Sequence, residues 1–236
     1  MIIILLVLSV LVGVVLGKLF GHKNYLVKPI LIISAGFLIT ICLNEVFPEV
    51  YHIHTHENHS IGLWVIGGVL LQMFLENFTK GFEHGHFHHQ NESKILPIGL
   101  VVGLFIHAFI EGIPLAKETN PLSPYLQGIL IHNLPISFIL GAFLFSNQKF
   151  STTSWLIVSL FAIASPLGII LGDYFPTHWQ SYFLAIVGGI FLHISSVIIF
   201  ESNKNHNVDW AKMAYVIFGV ALAMLAHTFH HHEHIH

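Results

Sequence analysis

Residues 105–112 read Phe105-Ile106-His107-Ala108-Phe109-Ile110-Glu111-Gly112, an imidazole and a carboxylate four positions apart inside an apolar run from about 95 to 116. At 1.5 Å per helical residue, such a run crosses about 30 Å of hydrocarbon. Positions i and i+4 share a helix face, so both side chains point at one object. A carboxylate at the bilayer centre costs at least about 2.5 to 3.5 kcal/mol, so the pair is expected to face polar groups or a bound ion. The next apolar run adds His132, Asn133 and Pro135, placing further candidate ligands at the same depth.

Hydrophobic residues make up 54% of the chain and charged residues 9%, where a soluble domain carries roughly a quarter charged. The reading is an all-α polytopic membrane protein. Apolar stretches at about 2–19, 28–47, 60–79, 95–116, 125–146, 152–172, 180–200 and 211–229 predict eight transmembrane helices in a single transmembrane domain over 1–236, with a His-rich tail at 230–236. Pro114 and Pro135 are expected to kink or unwind their helices. The first run has no basic residue before it and no small-residue cleavage signal after it, so it is read as a span rather than a removed leader. The lone Cys42 excludes a disulfide framework or a cysteine-rich zinc module. A formal charge of −3 gives no reason to expect nucleic acid.

Every basic residue is a lysine, and every lysine except Lys117 falls in or beside an odd-numbered loop. Because positive residues stay on the cytoplasmic side, the odd loops are expected inside and both termini outside. Gly13-Val14-Val15-Leu16-Gly17 in span one resembles Gly168-Ile169-Ile170-Leu171-Gly172 in span six, and Gly36 precedes Glu49 as Gly188 precedes Glu201. A repeat displaced by five spans must cross the membrane upside down. The expected architecture is an inverted repeat of spans 1–3 and 6–8 around central spans 4 and 5.

The chain holds 20 histidines. Outside the spans they cluster as His52, His54, His56 and His59 in the second loop, His84, His86, His88 and His89 in the third, and His227 with 230–236 at the end. Such tracts are compositional metal-binding signals, against the plain alternative of flexible polar segments. In the membrane, His107, Glu111, His132 and Asn133 form the candidate transport site, since N and O ligands from two helices suit Zn²⁺ or a similar ion. Glu45, Glu49 and Glu76 lie near span ends and are secondary candidates. His193, alone on an apolar helix, reads as a packing residue before it reads as a ligand.

Together these residues resemble the ZIP family of divalent-metal transporters. His107, Glu111 and Gly112 fit the family's span-four pattern, and His132 and Pro135 its span-five pattern. Phe47-Pro48-Glu49, Glu76 ahead of a His-rich loop, and Pro166-Leu167-Gly168 agree as well. The resemblance implies alternating access without ATP and a site on spans four and five. The chain departs from the family at Ala108, Asn133, Ile136, Ser137 and Ser165, where relatives carry further polar or acidic ligands of a binuclear site; one ion rather than two is therefore expected.

The leading functional reading is a zinc or related divalent transition-metal carrier, moving metal toward the cytoplasm across a plasma membrane, as in a bacterial inner membrane. No nucleotide is expected, since no Gly-x-x-x-x-Gly-Lys motif is present. The expected partners are a divalent metal ion, the lipid bilayer and a second copy of the chain in a homodimer. Two alternatives remain open at this point: a metal-sensing or storage protein on a degenerate carrier fold, and an intramembrane zinc hydrolase. The hydrolase is disfavoured because His-x-x-x-Glu lacks the zinc-protease arrangement.

Overall fold

The computed structural model describes residues 1–21, 27–53, 61–79, 98–145, 152–200 and 209–232. Among them every regular element is helical: α1 (Ile2–Phe20), α2 (Val27–Ile41), a π turn (Cys42–Val46) running into α3 (Phe47–Ile53), α4 (Ile61–Thr79), α5 (Ile98–Gly112) followed by a 3-10 turn (Ile113–Lys117), α6 (Pro124–Leu144), α7 (Thr152–Gly172), a 3-10 turn (Thr177–Trp179), α8 (Gln180–Phe200) and α9 (Trp210–His232). They make eight stretches long and apolar enough to cross a membrane, in the expected order.

The second span differs most from expectation. Its apolar pattern predicts an end at 47, and instead the helix continues to Ile53. Proline in a helix clashes with the carbonyl four residues back. Here the π turn precedes Pro48, with the Phe47 N–H reaching back five residues to the Cys42 carbonyl, and this wider turn makes room for the ring. Glu45 and Glu49 consequently sit within a helical span, and His52 is on its last turn rather than in a loop. Pro114 does terminate regular α geometry, at the start of the 3-10 turn after α5. Pro135 does not unwind its helix, which runs unbroken from Pro124 to Leu144. A Ser123 hydroxyl accepting the Leu126 N–H and Pro124 at the first position start that helix cleanly.

The helices sort into two packing groups. In one, α1 lies along α6, α5 along α7, and α1 also touches α7; in the other, α2 lies along α9, α4 along α8, and α2 touches α8. The groups meet where α2 packs on α6, α4 on α5 and α8 on α5. Helices α1, α4 and α9 turn large apolar side chains outward, among them Leu8, Leu63, Leu70, Phe74 and Ile217. Such a surface suits lipid.

In a bilayer, apolar burial does not drive helices together, so association depends on close backbone approach at small residues. A Cβ on Gly13 or Gly17 would strike the Leu134 or Phe138 carbonyl of α6, while one on Gly168 or Gly172 would strike the Phe109 carbonyl of α5 or the Ile113 carbonyl of the 3-10 turn after it. Leu134 and Phe109 are 25 positions apart, as are Phe138 and Ile113. The second group repeats the pattern: Gly36 meets Val216 and Gly219 meets Ile33, while Gly189 meets Val65 and Gly68 meets Ile186. Exchanging spans one with six, two with seven, three with eight and four with five therefore maps each of these contacts onto another. In this register Gly36 corresponds to Gly189, one position beyond the Gly188 suggested by the sequence, because Gly188 faces the Phe47 ring instead.

Candidate metal centre

Where α5 meets α6, His107, Glu111 and His132 have zero exposure, and one ligand atom from each lies within 4.8 Å of the others. No other group of three histidine, cysteine or acidic side chains converges in this way among the described residues. His107 Nε2 stands 2.9 Å from Glu111 Oε1, but the approach is out of line for a hydrogen bond, and neither Glu111 oxygen accepts one among the described residues. The two imidazoles sit edge to face with centroids 5.6 Å apart. Asn133, next to His132, is 1% exposed, and its Oδ1 has no hydrogen-bond partner among the described residues. A buried carboxylate left without donors is strongly unfavourable. A divalent cation resolves that, and the donor set of imidazole, carboxylate and amide oxygen fits one.

Local sequence explains the placement. The four-residue spacing stacks His107 and Glu111 on one face of α5. Pro135 lacks the N–H that would bond the Ile131 carbonyl, so one intrahelical bond is missing beside His132 although the helix continues. The Tyr125 hydroxyl donates to the Glu111 carbonyl at 2.7 Å, tying the start of α6 to the end of α5 where the 3-10 turn begins. From the other packing group, Gln72 Oε1 accepts from His107 Nδ1 at 3.1 Å, and the Phe191 ring lies 6.3 Å from His132 and 6.1 Å from Tyr125.

The twofold correspondence reaches into this centre. The same 25-position displacement that relates the carbonyl contacts carries His107 onto His132, Glu111 onto Ile136 and Ala108 onto Asn133. Two imidazoles are thus related by symmetry while the carboxylate has an apolar counterpart.

The secondary candidates lie apart from that centre. Glu76 on α4 and His193 on α8 pair with each other at 3.1 Å. Glu45 in the π turn forms a close pair with His227 on α9. The contacts that set Gly68 against Gly219 also place Glu76 opposite His227 in the repeat, and each His–Glu pair joins one half to the other, α4 to α8 and the second span to α9. Glu49 and His52 are exposed. His54, His56, His59, His84, His86, His88 and His89 lie outside the described residues, as do 233–236. Sequence reasoning missed Gln72 and Tyr125. The one signal for Gln72 was an amide one turn before Glu76 in an otherwise apolar helix.

The family model described as ZIP zinc transporter matches residues 83–227, which is more than half of the chain and includes α5 through α8. The chain belongs to the ZIP zinc transporter family. Members of that family are transporters, which removes support from the hydrolase reading. Among curated proteins the chain is similar to Protein zntD of Dictyostelium discoideum, with 31% identity over 152 residues. That match covers 54% of this chain and 22% of the relative, so the chain spans well under half of that protein's length. Both histidines and the carboxylate of the centre fall within the region matched by the family.

Proposed function

We propose that the protein carries a divalent transition-metal ion, zinc foremost, across a membrane by alternating access through the centre formed by His107, Glu111 and His132, with Asn133 as a fourth ligand. The observation that carries this reading is the fully buried convergence of three ligand atoms from two central helices, in a chain of a zinc transporter family. The ion is the cargo. Neutral imidazoles and one carboxylate hold it with less negative charge than a carboxylate-rich site, which favours release as well as capture. The lysine distribution supports an orientation with both termini outside, and the likeness to zinc transporters supports transport toward the cytoplasm across a plasma membrane. Nothing in the reading requires a nucleotide.

Uptake of a panel of divalent metals into vesicles of known orientation tests the proposal. His107→Ala and Glu111→Ala are each expected to reduce zinc flux at least about 10- to 100-fold, because water replaces a ligand poorly in a dry site. Shortening the chain by residues 230–236 is expected to change apparent affinity modestly or not at all. Undiminished flux in both membrane variants would overturn the assignment. The single carboxylate favours a second reading, a sensor or store: metal binding by the native chain with no flux in either direction would select it.

A further inference from the structure

Gln72 is fully buried on α4, a helix otherwise apolar along most of its length, and such an amide is retained only where it is bonded. Its Oε1 meets His107 Nδ1 at 3.1 Å across the boundary between the two packing groups. An amide oxygen only accepts, so Nδ1 carries the proton and Nε2 presents its lone pair. That choice matters because Glu111 Oε1 lies 2.9 Å from Nε2. A proton on Nε2 would occupy the position an ion needs, and the hydrogen bond made by Nδ1 decides which nitrogen is left free to coordinate.

We infer that Gln72 is a positioning residue of the metal centre, fixing the tautomer and ring orientation of His107 from the opposite helix group. The inference rests on the proposed transport reading and deepens it: the centre holds its ion at full strength only while α4 and α5 keep the register seen here. A displacement of one group against the other breaks the Gln72 contact, removes the acceptor that keeps the proton on Nδ1 and weakens the grip on the ion. Release is thereby coupled to movement.

The test is a Co²⁺ titration of the purified full chain, followed by visible absorption and by Zn²⁺ competition, reading the component of the signal that His107→Ala removes. Gln72→Leu is expected to weaken that component by about 10- to 100-fold with no loss of thermal stability. Gln72→Glu, which keeps an acceptor for Nδ1–H and makes the ring more basic, is expected to bind at least as tightly as the native chain. A pure packing role predicts the reverse order, with leucine silent and a buried glutamate disruptive. Unchanged affinity in Gln72→Leu, or weaker binding by a folded Gln72→Glu than by Gln72→Leu, overturns the inference. If Gln72→Glu does not fold, Gln72→Leu decides alone. If His107→Ala removes no signal, the metal centre itself is misassigned; if it does while Gln72→Leu is silent, only the role of Gln72 falls.

Discussion

Ile136 occupies the position that the repeat makes equivalent to Glu111, and its side chain is fully buried. Two divalent ions a few ångströms apart repel strongly at low dielectric and are held together by bridging carboxylates. Glu111 is the one carboxylate in the converging group, so the native chain is expected to bind a single ion at membrane depth. The metal-to-protein ratio after dialysis, measured in a chain with its loop histidines replaced, checks this; two tightly held ions would defeat it. Asn133→Asp combined with Ile136→Glu supplies the missing charge and is expected to raise zinc affinity and admit a second ion.

At the scale of helices, the glycines that define the repeat are also where stability concentrates. A Cβ at Gly17 meets the backbone of α6, which cannot move aside as a side chain does, whereas a Cβ at Gly67 on α4 would find nothing within 4 Å. Gly17→Ala is therefore expected to destabilise by about 1–3 kcal/mol through overpacking. Gly67→Ala is expected to be neutral or stabilising by up to about 1 kcal/mol through helix propensity. Thermal unfolding in detergent separates the two. Much of this level was legible in the sequence, because span length and hydropathy are local properties, and because His107 and Glu111 announce a shared face by spacing alone. Other features depended on distant partners. Gln72 is bonded 35 positions away, and Glu45 pairs with a histidine 182 positions away. The length of the second span was hidden for a different reason: Pro48 reads as a stop, and the π turn that accommodates it leaves no mark in composition.

For the whole molecule, the lysine asymmetry predicts the orientation, and labelling of His56→Cys and Ser93→Cys in sealed cells is expected to report opposite sides of the membrane. The native background is quiet, since the lone Cys42 is buried with its thiol on the Gly188 carbonyl at 3.2 Å. Modification of both introduced thiols from outside would overturn the orientation. The interlocked pairing also has a consequence in time. Helix α1 packs most extensively on α6, and α2 on α9, each partner synthesised well after it. Early helices must therefore enter the bilayer as independent insertion units and wait, their glycine faces against lipid, until later ones arrive. Neither half completes itself, so assembly waits on helices synthesised late, and a nascent chain stalled before Trp210 would leave the Gly36 face of α2 still open to quality control.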